Sequence, residues 1–187
     1  MLALRIILIT ASLTLLCFSV AMKMGFFRCQ SYKEAIRSSL SLTVFMTGLF
    51  TLGWLISYSM HSWLEGFKQV PGLVILFLLG LKTIYFSRIR KEDPTLFDTG
   101  MRGVLLAVSF AAGLNGLIAG LALPIIGVGL FPLVALIPGT VFLLSISGVY
   151  FGKMRGNLKL AQWMEFSGGF LLIVLVALEI FYTIKAV

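Results

Sequence analysis

Acidic side chains are scarce in this chain: seven Asp and Glu stand against fifteen Lys and Arg, with a single His, in 187 residues. That leaves little from which to build a catalytic or metal-binding constellation. There is no P-loop, nucleophile elbow or kinase signature and no chelating His pair, and His61 stands alone near Trp63 in a loop. An enzyme is therefore the weakest reading, and no cofactor is expected. Cysteine is equally rare. Cys17 and Cys29 lie twelve residues apart without a CxxC, which argues against a disulfide framework or a redox relay. Charge of either sign makes up only 12% of the chain, too little for a soluble domain. The net charge of +8 does not point to nucleic acid, because the Lys and Arg are confined to short segments between apolar runs.

What is present is apolar, at 59% of residues. Inside hydrocarbon only a helix or a closed barrel satisfies every backbone N–H and C=O, and the long continuous runs favour helices over alternating barrel strands. Six spans are predicted: Leu4 to Met24, Ile36 to Met60, Gly72 to Phe86, Gly103 to Leu123, Leu133 to Phe151 and Met164 to Ile184. The third is short and extends naturally back through Val70-Pro71, since Pro is tolerated in the first turn of a helix. Met1 to Ala21 has the outline of a signal peptide, but the apolar run continues to Phe27 without a polar break, so a span is expected instead. Leu123 to Pro132, apolar but broken by Pro124, Gly127, Gly129 and Pro132, reads as a re-entrant or membrane-surface hairpin.

The basic residues alternate by side. Arg28, Lys33 and Arg37 lie between or beside spans one and two, Arg88, Arg90, Lys91 and Arg102 between three and four, and Lys153, Arg155 and Lys159 between five and six. The opposite side holds only Arg5, Lys68 and Lys185, with Glu65 opposing Lys68. Positive-inside bias then places the three basic loops in the cytoplasm and both termini outside.

The chain also reads as two halves, a first three-helix repeat over 1–86, a cytoplasmic linker over 87–102 and a second repeat over 103–187. Thr43-Val44-Phe45 returns as Thr140-Val141-Phe142, and Leu81-Lys82-Thr83-Ile84-Tyr85 faces Leu178-Glu179-Ile180-Phe181-Tyr182 at the same offset. Leu114-Asn115 sits opposite Leu15-Leu16. Three spans per half is an odd number, so the second copy inserts upside down, the inverted-repeat plan that places a site near the midplane where the halves meet.

Ionisable residues inside spans are costly and are the first functional candidates. Four stand out: Lys23, Lys82, Glu165 and Glu179. Snorkelling to the nearer interface accounts for each, and Lys82 and Glu179, equivalent by the repeat, are also the candidate gating or charge pair. The hydroxyl-bearing residues Thr14, Ser19 and Thr43, together with Asn115 between Gly113 and Gly116, form the candidate substrate-binding set. Cys17, Met22, Met24 and Met46 are soft enough for Cu(I) but are read as packing residues.

Several short motifs, in order and spacing, resemble those of the MntP-type manganese exporters of the LysE-like superfamily. They are Phe18 and Gly25 in the first span, Glu34-Ala35-Ile36-Arg37 before the second, Gly53-Trp54 near its end, Phe77-Leu78-Leu79-Gly80-Leu81-Lys82 in the third, and Glu165-Phe166-Ser167-Gly168-Gly169 in the sixth. The resemblance implies six spans in two three-span repeats, a bacterial inner membrane and cation export. It also implies acidic residues that are not here. Where the family carries Asp in a Ser-x-Asp-Ala-Phe pattern, the chain reads Thr14-Leu15-Leu16-Cys17-Phe18; the second Asp position is Asn115, and a Glu position in span two is Met46. Manganese is a hard dication that wants oxygen ligands and charge compensation. Two functions follow: a membrane transporter diverged from manganese export, acting on a small cation or other small solute, or a non-transporting subunit or scaffold with a protein partner in the cell envelope.

Overall fold

The computed structural model describes residues 2–27, 32–59, 70–89, 102–125, 129–155 and 158–185, each stretch built on one helix. In chain order these are α1 (Leu2–Phe27), α2 (Tyr32–Ser59), α3 (Val70–Ile89), α4 (Arg102–Ala122), α5 (Leu130–Arg155) and α6 (Leu158–Lys185). The shortest has 20 residues and the longest 28. At a rise of ~1.5 Å per residue they reach about 30 to 42 Å, enough to cross a hydrocarbon layer of ~30 Å. All six are long and apolar enough to span a membrane, and no strand occurs among the described residues.

Span existence follows the apolar runs, but the helix ends do not. α2 starts four residues before Ile36 and α6 six residues before Met164, because Tyr32, Lys33 and Glu34, and likewise Lys159 and Gln162, extend the helices past the apolar stretch. Glu165 therefore lies two turns inside α6 and does not open it. α3 does include Val70 and Pro71, the missing N–H of Pro71 falling in a first turn where no intrahelical partner exists. The stretch 123–132 is divided: residues 123–125 form a turn, α5 takes up the chain at Leu130 and includes Pro132, and residues 126–128 lie outside the described residues. His61 and Trp63 also lie outside them, as does the linker between Arg90 and Met101.

The helices pack in the closed order α1–α5–α2–α4–α3–α6 and back to α1, with the α2–α4 and α1–α5 interfaces the most extensive. At the centre Ile9, Leu13 and Cys17 of α1 meet Phe50 of α2, Leu76 of α3, Ile137 of α5 and Leu172 of α6, all almost fully buried. Between helices in lipid there is little hydrophobic drive, so close approach at small residues supplies the packing. On α4, Gly113 and Gly120 press on the backbone carbonyls of Phe45 and Phe50 in α2, while Gly53 of α2 presses on Leu117. On the other large interface, Gly152 of α5 abuts the Met22 carbonyl and Gly25 of α1 abuts that of Val149.

Candidate functional site

The polar line on α1 is a seam with α6. Arg5, Ser12, Leu16, Ser19 and Lys23 recur at intervals of three, four or seven residues, which places them on one face of a helix. Their partners on α6 run in the opposite chain direction, from Glu179 beside Arg5 to Glu165 and Ala161 beside Lys23 and Ser19. Ser12 Oγ donates to the Gly168 carbonyl at 2.7 Å, and Ser19 Oγ donates to that of Ala161 at 2.8 Å. Lys23 Nζ meets Glu165 Oε2 at 2.6 Å, and Ser19 Oγ lies 3.4 Å from the same oxygen. At the far end Arg5 Nη2 donates to Glu179 Oε2 at 2.7 Å, and its Nε contacts Glu179 Oε1. Lys23 and Glu179 are only 5% and 4% exposed.

The antiparallel helices thus carry opposite charges at matching depths. The two cations lie 18 residues apart on α1, about 27 Å, and the two carboxylates 14 apart on α6, about 21 Å. Long Lys and Arg side chains span the difference. Leu16, at the position where the family pattern has Asp, fills the middle of this seam and packs toward Gly168. Ser12→Ala removes one bond across it and is expected to lower the unfolding free energy in detergent by about 0.6 to 1.7 kcal/mol, measured by titration with SDS.

The four hydroxyl and amide candidates are not bonded to one another. Ser19 is engaged by α6, as above. Thr14 and Thr43, both buried, donate to carbonyls of their own helices, at Ala11 (3.0 Å) and Ser39 (2.8 Å), the back-bonding common for Thr in apolar helices. Asn115 Oδ1 accepts from Lys82 Nζ at 3.4 Å, so two residues singled out separately in the sequence meet between α3 and α4. Lys82 is not paired with Glu179, whose carboxylate holds Arg5. Next to Asn115, the fully buried Met46 lays its sulfur against Gly116.

Two features had no clear mark in the sequence. The first is the pairing of Lys23 with Glu165 and of Arg5 with Glu179; the available signal was the opposite sign of the intramembrane charges on the two antiparallel spans. The second is a set of buried hydroxyls, Ser39, Thr47 and Ser57 on α2 and Ser145 on α5, whose oxygens have no hydrogen-bond partner among the described residues. Among the described residues no three His, Cys, Asp or Glu side chains form a group that could hold a metal ion.

Six apolar helices closed into a ring, with charge pairs between the first and last, define a multi-pass helical membrane protein. The family described as "Putative manganese efflux pump" matches residues 29–181, and the chain belongs to that MntP family. It is 30% identical over 169 residues, 90% of its own length and 92% of the relative's, to "Putative manganese efflux pump MntP 1" of Wolinella succinogenes. A second relative, "Putative manganese efflux pump MntP" of Methanothermobacter thermautotrophicus, is 26% identical over 178 residues, 95% of this chain and 94% of its own. These are names of transporters, not enzymes. No solved structure matches.

Proposed function

We propose that this chain is a membrane transporter of the MntP exporter fold that has diverged from manganese export toward a substrate of lower charge. The observation that carries the proposal is the charge balance inside the bundle. A dication entering a low-dielectric core needs carboxylates that are not already spent. Glu165 and Glu179 are each tied to a cation of α1, and the positions of the missing acids hold Leu16, Met46 and Asn115. At Asn115 a cation is present already, the Lys82 ammonium.

Transport itself is favoured by the family, whose members similar to this chain over most of its length are named as efflux pumps. The ring order is unchanged when α1, α2 and α3 are exchanged with α4, α5 and α6, which supports two inverted three-helix repeats over 1–86 and 103–187, joined by a linker over 87–102. By the charge bias of the loops the basic side is cytoplasmic and both termini face the periplasm, and the likeness to bacterial relatives favours a bacterial inner membrane. A second reading, a non-transporting subunit or scaffold of an envelope complex, draws on the complete burial of Met46 and the near-complete burial of Leu16.

The test is cell manganese content in an exporter-deficient bacterial host at matched membrane levels. The native chain is expected to leave manganese high, and the double variant Leu16→Asp, Asn115→Asp to lower it. Export by the native chain would overturn the divergence. If neither lowers manganese and the native chain purifies with a stoichiometric partner, the scaffold reading replaces transport.

A further inference from the structure

Away from the α1–α6 seam, α3 and α6 touch at Gly80 and Gly169, each glycine lying against the other's carbonyl. On either side of this contact the seam opens into a cleft. Toward the start of α3 the lining is wholly apolar, with Val74 and Phe77 facing Ile173 and Ile180, as expected of a surface against acyl chains. Toward the other end, where the basic loops lie, the cleft changes character. It encloses about 320 Å³ between Ser87 and Arg88 of α3 and Lys159, Gln162, Trp163 and Phe166 of α6.

That volume falls in the range of small-ligand pockets, roughly 300 Å³ and upward. Among the described residues the lining holds two cations, one side-chain amide and no carboxylate. The Arg88 guanidinium carbon sits 5.4 Å from the centre of the Phe166 ring, a cation–π contact that holds the group at the cleft wall. Trp163 packs edge-on to Phe166 at 6.2 Å and is 67% exposed. An outward-facing Trp beside the last turn of one span and the first turn of another marks the headgroup level of a bilayer. Basic pockets between spans at this level suit lipid phosphates, and the guanidinium fork matches phosphate oxygens.

We propose that this cleft binds the phosphate-bearing headgroup of an anionic phospholipid, with Arg88 and Lys159 contacting the phosphate and Trp163 packing on the glycerol and upper acyl chain. Two cationic groups in one lining select a headgroup of net negative charge over a zwitterionic one. The site is separate from the transport reading and stands or falls without it.

Trp163 supplies the readout. The chain has three Trp, and Trp54→Phe with Trp63→Phe leaves Trp163 as the only one. In reconstituted bilayers, quenching by brominated phosphatidylglycerol is compared with quenching by brominated phosphatidylcholine. The anionic lipid is expected to associate on the order of tenfold more strongly, from two basic groups near the surface. Arg88→Gln with Lys159→Gln should abolish the preference, and Lys33→Gln with Arg37→Gln, which removes the same charge at the same end of α2, should keep it. Equal quenching by the two lipids overturns the proposal, as does equal loss of preference in both double variants. Loss of the preference on adding millimolar inorganic phosphate at constant ionic strength would also overturn it, by showing a site for a soluble anion.

Discussion

Lys23→Met is expected to lower the unfolding free energy by about 3 to 5 kcal/mol, the usual result of leaving one partner of a buried ion pair alone. The Lys23 side chain is 6% exposed and its partner Glu165 20% exposed, and they meet at 2.6 Å on the α1–α6 seam. Without the ammonium, Glu165 keeps only the distant Ser19 hydroxyl as a neutral donor from α1. The double variant Lys23→Met, Glu165→Leu should recover most of the loss, because desolvating two charges offsets much of their attraction. Recovery distinguishes an ion pair from a lysine that merely packs. Arg5→Met should cost less, since the Arg5 side chain is 25% exposed and water or headgroups can reach the pair. Unfolding in mixed micelles, followed by tryptophan fluorescence, measures all three.

The second large effect is one substitution with opposite signs at different sites. Gly152→Ala and Gly53→Ala place a methyl on the backbone of the facing helix, at Met22 and Leu117, where no rotamer change can relieve the overlap. The helices must separate, and each variant is expected to lose about 1 to 3 kcal/mol. Gly48→Ala and Gly139→Ala meet nothing. There the methyl only restricts the unfolded backbone and improves helix propensity, with an expected gain of up to ~1 kcal/mol. The same titration reports the sign. A loss at Gly48 equal to that at Gly152 would refute close helix approach as the cause.

Apolar run length made the six helices legible, because the backbone in hydrocarbon has few other solutions. Helix ends were less legible, since Tyr32 to Glu34, and Lys159 and Gln162, are polar residues that remain helical beyond the apolar run. The polar candidates show a different limit. Periodicity puts Ser12, Leu16, Ser19 and Lys23 on one face of α1, but it cannot say which helix covers that face. The covering helix is α6, with partners 142 residues away for Lys23 and 174 for Arg5. The face that supplied Ser19 as a substrate-binding candidate is thus largely occupied in holding the first helix to the last. Lys82 and Asn115 were each conspicuous as polar groups within spans, while their meeting depends on how α3 lies beside α4. The unpaired hydroxyls of Ser39 and Ser145 looked no different in sequence from Thr43, whose hydroxyl is satisfied by its own helix.

The seam also bears on how the protein is made. Ribosomes deliver α1 first and α6 last, so Arg5 and Lys23 enter the bilayer while their carboxylates are still unsynthesised. Until then both cations must lean on headgroups or water at the two surfaces, which favours a first helix held upright across the membrane. Arrival of α6 neutralises both ends together, so its insertion and the locking of the ring become a single event in biosynthesis.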